Sequence, residues 1–238
     1  MADSAYLSGV AIPMADLGDP PRHSAVVRVT HWINTISFIG LLISGVAILL
    51  AHPRLYWGES GSVGTPSLID LPLPFMLGGQ SGWGRSQHFL FAWVCVLNGL
   101  LYVLSGLFTK HFRKNLLPAK ADLTWGSFSR TVANHLRFKL PGFKPLDGET
   151  SYNLLQRLAY LAVVFVLFPL IIWTGLAMSP AIVSVFPVLV TVLGGQQSAR
   201  TIHFAAAVLL VLFLVVHIVM VSVSGFSSRM RAMITGHP

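Results

Sequence analysis

Charge is what this chain most lacks. Lys, Arg, Asp and Glu together make up 10% of its 238 residues, against about 25% in an ordinary soluble domain. That is too little to build a water-facing surface. The eight acidic residues all fall outside the long apolar runs. Cysteine is nearly absent too. A single Cys95 excludes an internal disulfide, a C-x-x-C-H attachment for c-type haem, and a thiolate set for iron–sulfur or zinc. The opening 25 residues have neither the basic start nor the apolar core of a cleaved signal. On this reading the first apolar run serves as both address and anchor.

Apolar length is what the chain has instead. It is 54% hydrophobic, with a mean hydropathy of +0.70. The excess is concentrated in four runs, roughly Val29 to Ala51, Phe89 to Phe108, Leu154 to Met178 and Thr201 to Val223. Each approaches or exceeds the ~20 residues that cross the bilayer core as a helix. The runs are continuous rather than alternating, which excludes a β-barrel. The fold class expected is an all-α integral membrane protein, a four-transmembrane-helix bundle. Its divisions are an N-terminal arm (1–25), the bundle (26–225) and a C-terminal tail (226–238). Within the bundle, an external connection covers about 52–84 and a cytoplasmic one about 110–152.

The formal net charge of +8 would suit nucleic acid, but its distribution argues for topology. Arg113, Lys114, Lys120, Arg130, Arg137, Lys139 and Lys144 crowd the 110–152 connection. The segment from Ser179 to Ala199 has no Lys or Arg, and the first connection has only Arg54. The positive-inside rule then puts both termini and the 110–152 connection in the cytoplasm, with the basic groups against anionic lipid. In that connection Trp125, Phe128, Val132 and Leu136 fall at helical spacing, as in a short helix lying in the interface. The Gly-, Ser- and Pro-rich external connection is too long for a simple turn and is expected to fold over the span ends or meet a partner. Pro169 is expected to kink the third span. No strong internal repeat and no soluble domain is evident.

Ionisable residues inside a membrane default to function, because burying them unpaired is costly. Nine histidines are present, and four sort by depth. His31 and His217 stand near the cytoplasmic ends of the first and fourth spans. His88 and His203 stand near the outer ends of the second and fourth. On the fourth span, His203 and His217 are separated by fourteen residues, about 21 Å of rise with only about 40° between their directions. A b-type haem, bound without covalent attachment, is held between axial imidazoles on different helices of a bundle core. His88 with His203 would hold an outer haem and His31 with His217 an inner one, making an electron path between the two faces.

The segments "RVTH", "RSQH" and "RTIH" place Arg28, Arg85 and Arg200 three residues before a histidine, on the same helical face. Each could pair with a haem propionate or snorkel to the headgroups. His52 and His111 are rival ligands whose surroundings read as solvated. His23, His135 and His237 read as surface residues, and Met178 and Met220 as apolar filling. Trp32, Phe89 and Phe204 could pack against haem faces. Gly40, Ser44 and Gly45, with Ala205 to Ala207, could open space for a porphyrin or simply suit helix packing.

With these residues in view, the chain resembles the bacterial di-haem cytochrome b family. This is the cytochrome b561 type, which includes the b-type subunits of nickel–iron hydrogenase, membrane formate dehydrogenase and thiosulfate reductase. The stretches "YNLLQRLAYLAVVFVLFPLIIWTGLAMSP" and "ARTIHFAAAVLLVLFLVVHIVMVSVSGF" look closest to members that accompany a molybdopterin oxidoreductase, and the resemblance covers about residues 25 to 236. It implies His31, His88, His203 and His217 as the axial ligands of two haems b. It also implies a membrane anchor that exchanges electrons between an external redox subunit and the quinone pool. Near the inner haem, Arg28, Asn34, Lys110, His111, Asn153, Gln156 and Arg157 are the groups available to a quinone. Two other readings remain. One is a stand-alone haem b enzyme passing electrons from superoxide to quinone. The other is a proton-handling transporter, which the lack of intramembrane Asp or Glu opposes.

Overall fold

The structure, a computed structural model, describes residues 23–61, 64–72, 81–109, 154–223 and 225–237. The N-terminal arm up to residue 22 and the 110–152 connection, with its expected interfacial helix, lie outside the described residues.

Helix α1 covers Ala25–Ala51. It starts where the Ser24 hydroxyl accepts the Val27 N–H and stops at His52, the residue before Pro53, where helical geometry is disfavoured. A two-stranded antiparallel ribbon follows, β1 (Arg54–Leu55) on β2 (Ile69–Asp70), with an exposed Arg54–Asp70 ion pair of 3.1 Å. Helix α2 is Ser81–Phe108. The third span, α3, is a composite of Leu154–Ala162, a π-helical turn Val163–Leu167, and Phe168–Ala177. Two single turns, α4 (Pro180–Val183) and α5 (Val188–Thr191), lead to α6, Gln196–Val223. The last helix, α7, is Phe226–Thr235. Gly225 and Gly236 bound it, with φ of 96° and 98°, values that a side chain would strain.

α1, α2, α3 and α6 are each long and apolar enough to cross a membrane. Their surfaces are arranged for lipid. Outward-facing side chains are apolar, such as Ile36, Leu97, Val166 and Leu212, while Thr30, Ser37, Ser44, Asn98 and Thr174 are buried. Three of the helices begin earlier than the apolar runs, because their first turns carry the polar Arg-x-x-His segments. Counting apolar residues misses a turn that the backbone completes.

The kink expected at Pro169 takes the form of the π turn. Proline has no N–H for the carbonyl four residues back. The chain meets this just upstream, where the Phe168 N–H reaches the Val163 carbonyl, a five-residue step. Such a turn holds one extra residue.

The spans associate as two hairpins. α1 packs on α2 along its length. Asn98 Nδ2 donates to the Thr30 carbonyl at 2.8 Å, and Phe91 covers Gly40, where any Cβ would overlap its ring. α3 packs on α6 through Phe168–Ala177. Among the described residues the backbones of the two hairpins approach each other far less closely than the partners within each.

The start of the connection between α1 and α2 closes one end. Leu55 and Tyr56 are buried, and the Thr201 hydroxyl donates to the Tyr56 carbonyl at 2.6 Å. The Gly58 carbonyl accepts the Gln197 and Ser198 N–H groups, which head α6 and have no partner within the helix. This seat requires glycine at 195, where a Cβ would lie 2.5 Å from the Gly58 carbonyl oxygen.

Candidate cofactor site

The four histidines singled out by depth come together as two pairs. His88 of α2 and His203 of α6 have ring centroids 6.2 Å apart, and His31 of α1 and His217 of α6 are 6.4 Å apart. We call the first pair the upper tier and the second the lower. Along α6 they are separated by about 21 Å. An imidazole nitrogen lies about 1.1 Å from its ring centroid and binds a metal at about 2 Å, so a metal between two imidazoles sets their centroids a little over ~6 Å apart. Both pairs have that spacing.

The upper tier is built to hold its rings in one orientation. The Ser44 hydroxyl is 3.0 Å from Nδ1 of His88, and the Thr174 hydroxyl is 2.9 Å from Nδ1 of His203. Each hydroxyl donates its own proton to a carbonyl one turn back, Gly40 at 2.7 Å and Leu170 at 2.8 Å. It is therefore left to accept from the imidazole. That assignment puts the ring proton on Nδ1 and leaves Nε2 as the ligand atom, a common support for metal-bound histidine. Beside the hydroxyls stand Gly45 and Gly175. A Cβ there would lie 3.6 Å from Cε1 of His88 and 3.5 Å from Cε1 of His203, ordinary contact distances, so each ring packs directly over a glycine.

The lower tier is supported differently. His31 Nδ1 is buried without a protein partner. His217 is stacked on Phe213, centroids 5.9 Å apart at 23°, and His31 meets Trp32 edge-on at 5.5 Å. Trp32 Nε1 donates to the Met233 carbonyl at 3.0 Å, which ties this tier to α7.

The arginines divide. Arg28 Nη1 donates to the Ile234 carbonyl at 2.7 Å, at the C-terminal end of α7, while its Nε is buried without a partner. Arg200 donates to the His52 carbonyl. Arg85 and Arg200 both bear electrostatically on His52. Burial first, then Arg200 and Arg85, push its imidazole below the ordinary histidine range. The upper end thus gathers three basic groups. The His52 ring itself is exposed.

Of the groups named for a quinone, Asn34 lies inside the α1–α2 hairpin, its Oδ1 3.2 Å from the Cys95 thiol. Lys110, His111 and Asn153 fall outside the described residues, as does His135. Gln156 and Arg157 are placed by backbone on α3. Of the other aromatic and sulfur residues, Phe89 is exposed, and Met178 packs beside the buried Ala177 cluster.

Short correspondences run between the two hairpins. At an offset of 115 residues, Arg85, His88 and Phe89 of α2 fall on Arg200, His203 and Phe204 of α6. At an offset of 130, Phe38, Ser44, Gly45 and Ala47 of α1 fall on Phe168, Thr174, Gly175 and Ala177 of α3. The pairs Ser44-Gly45 and Thr174-Gly175 were the available signal. They are hard to notice because the apolar residues between the matches differ freely.

Comparison with known proteins gives the family. The family model for prokaryotic cytochrome b561 matches residues 22–236. A protein of Azospira oryzae named as the YedZ1 subunit of a protein-methionine-sulfoxide reductase is 30% identical over 220 residues, covering 90% of this chain and 96% of its own length. No solved structure matches. Four membrane helices, paired histidines and a match over nearly the whole chain lead to one conclusion: the chain belongs to the prokaryotic cytochrome b561 family, a membrane cytochrome of the b type.

Proposed function

We propose that the two histidine pairs are the axial ligands of two b-type haems, His88 with His203 and His31 with His217, and that the chain carries electrons across the bilayer. The observation that carries this reading is the two imidazole pairs stacked about 21 Å apart along α6, each at the spacing for one shared iron. A bound haem supplies a one-electron carrier whose potential its ligands and surroundings set. The residues of this chain do the rest. Ser44 and Thr174 hold the upper imidazoles with Nε2 inward. Gly45 and Gly175 leave room there for nothing larger than a methyl group. Arg85 and Arg200 offer positive charge for the propionates at the upper end, and the unpartnered Nε of Arg28 offers it at the lower.

The positive-inside rule orients the molecule, with both termini and the lower tier on the cytoplasmic side of a bacterial inner membrane and the upper tier outside. Electrons then pass between an external redox subunit and membrane quinone. The word "subunit" in the relative's name supports a partner chain, and the sequence resemblance supports one of the molybdopterin oxidoreductase class. Lys110, His111, Arg157 and Asn34 are the groups at the cytoplasmic half that a quinone could meet.

The test is a pyridine-haemochrome count on detergent-purified protein, followed by addition of decylquinol. Two haems b per chain, reducible by quinol, are expected. A well-folded protein without haem would overturn the whole reading. Two haems that dithionite reduces and quinol does not would overturn its quinone half.

A further inference from the structure

The connection from α3 to α6 is not made like a loop in water. Residues 179–199 include no Lys, Arg, Asp, Glu or His. Along it Val185, Phe186, Val188 and Val192 are each more than half exposed. An exposed apolar patch marks a surface for another protein or for a membrane.

The polar groups of the segment decide between the two. Each N–H of residues 182–186 and 189–195 donates to a carbonyl within the segment. The two helical turns α4 and α5 begin at Pro180 and just after Pro187, residues with no N–H to leave bare at a helix start. Across residues 180–193 the polar side chains are Ser184 and Thr191. Both hydroxyls are spent on their own turns, Ser184 donating to the Ala181 carbonyl at 2.9 Å and Thr191 to the Pro187 carbonyl at 3.1 Å. Backbone immersed in hydrocarbon must satisfy itself in this way. A protein interface instead carries about one hydrogen bond per 100–200 Å², and these residues have no side-chain proton left to give one.

The segment also lies at membrane depth. Val190 and Leu193 are buried in one cluster with Ala177 of α3 and Ala199 of α6. Trp173 Nε1 donates to the Leu189 carbonyl at 3.2 Å. Trp173 stands four residues before the end of α3 at Ala177, about 6 Å inside it. A long side chain on a helix points back toward the N-terminal end, which here is away from the upper end. Leu189 therefore sits about one turn inside the span, at the level of Thr174, whose hydroxyl supports His203.

We propose that residues 180–193 form a re-entrant segment. It dips into the bilayer beside α3, sets Val185, Phe186, Val188 and Val192 against lipid acyl chains, and returns to start α6. Lipid rather than water then borders α3 at the level of Thr174.

The test reads depth at single sites of the full-length protein, in vesicles of phosphatidylethanolamine and phosphatidylglycerol. In a Cys95→Ser background, Val185→Cys and Val188→Cys each carry a nitroxide. Leu212→Cys on α6 is the lipid-facing reference and Ser60→Cys the water-facing one, and all four positions are exposed. Power-saturation EPR is expected to give the Leu212 pattern at both test sites, with oxygen relaxing the label severalfold more than nickel ethylenediaminediacetate does. The opposite ratio, as at Ser60, puts the segment in water and overturns the proposal. Labels that neither reagent reaches are covered by protein, which overturns it too. The unaltered chain gives a second reading. A phospholipid with a diazirine on its acyl chain is expected to cross-link to residues 180–193 on illumination, and labelling confined to the four spans overturns the proposal.

Discussion

The hydroxyl of Thr174 lies 2.9 Å from Nδ1 of His203, and Ser44 stands in the same relation to His88 at 3.0 Å. Each hydroxyl is held from behind by a carbonyl of its own helix, so it can only accept. Each imidazole also has a backbone carbonyl within reach, Ile171 for His203 and Leu41 for His88. Thr174→Val therefore removes one of two partners. Upper-haem affinity is expected to fall about tenfold, the lower end of what loss of a supporting contact costs a metal site. Haem retention against competing imidazole measures it. A fall equal to that of His203→Ala would show that the hydroxyl does more than orient.

His203→Ala itself separates the tiers. With one axial ligand gone, the upper site keeps only His88, while His31 and His217 are untouched some 21 Å away. The haem count is expected to drop from two per chain to one, with the remaining absorption band that of the lower site. Loss of both or of neither would refute the pairing.

Depth and face were readable from the sequence because an α-helix fixes both by residue number. His203 and His217 fall on one face by residue number alone, and the pairs that depth suggests are the imidazoles that lie side by side in the structure. The supports were not readable. Ser44 and Thr174 are short hydroxyls in apolar runs, where most such residues bond only their own helix. Their second role depends on which helix lies opposite. Arg28 illustrates the converse. Its Nη1 binds the end of α7, a contact across 206 residues that no local pattern encodes, while its Nε is left unpartnered. The Pro169 kink was anticipated as a bend, but the extra residue it absorbs became visible only in the backbone.

The glycine beside each upper hydroxyl allows a graded test. At Gly175 an added Cβ would lie 3.5 Å from Cε1 of His203, ordinary contact. Gly175→Ala is thus expected to keep both haems. Gly175→Val adds two methyl groups beyond that Cβ, which must displace the ring, and overpacking of this kind costs about 1–3 kcal/mol. The valine variant is expected to lose the upper haem and retain the lower one. Equal haem content in the two variants would mean the glycine serves helix packing instead.

His52 reports on charge at the upper end. Burial, Arg200 and Arg85, in that order, hold its imidazole below the ordinary histidine value of 6.5. An unfolded chain takes up this proton near 6.5. The folded chain resists it, so the stability tied to this group is present above 6.5 and lost as pH falls through the lower folded value. The ring is exposed, which keeps the effect on stability small and makes titration the better readout. Arg85→Gln removes only the weakest of the three causes and is expected to raise the His52 value part of the way. Haem loading should do more, because propionates at Arg85 and Arg200 would offset both cations at once. Carbon-13 histidine labelling, followed by NMR in the haem-free and the loaded ferrous protein, compares the two. An upward shift on loading fits propionates at this end. An unchanged His52 would place them elsewhere and leave the two arginines for another anion.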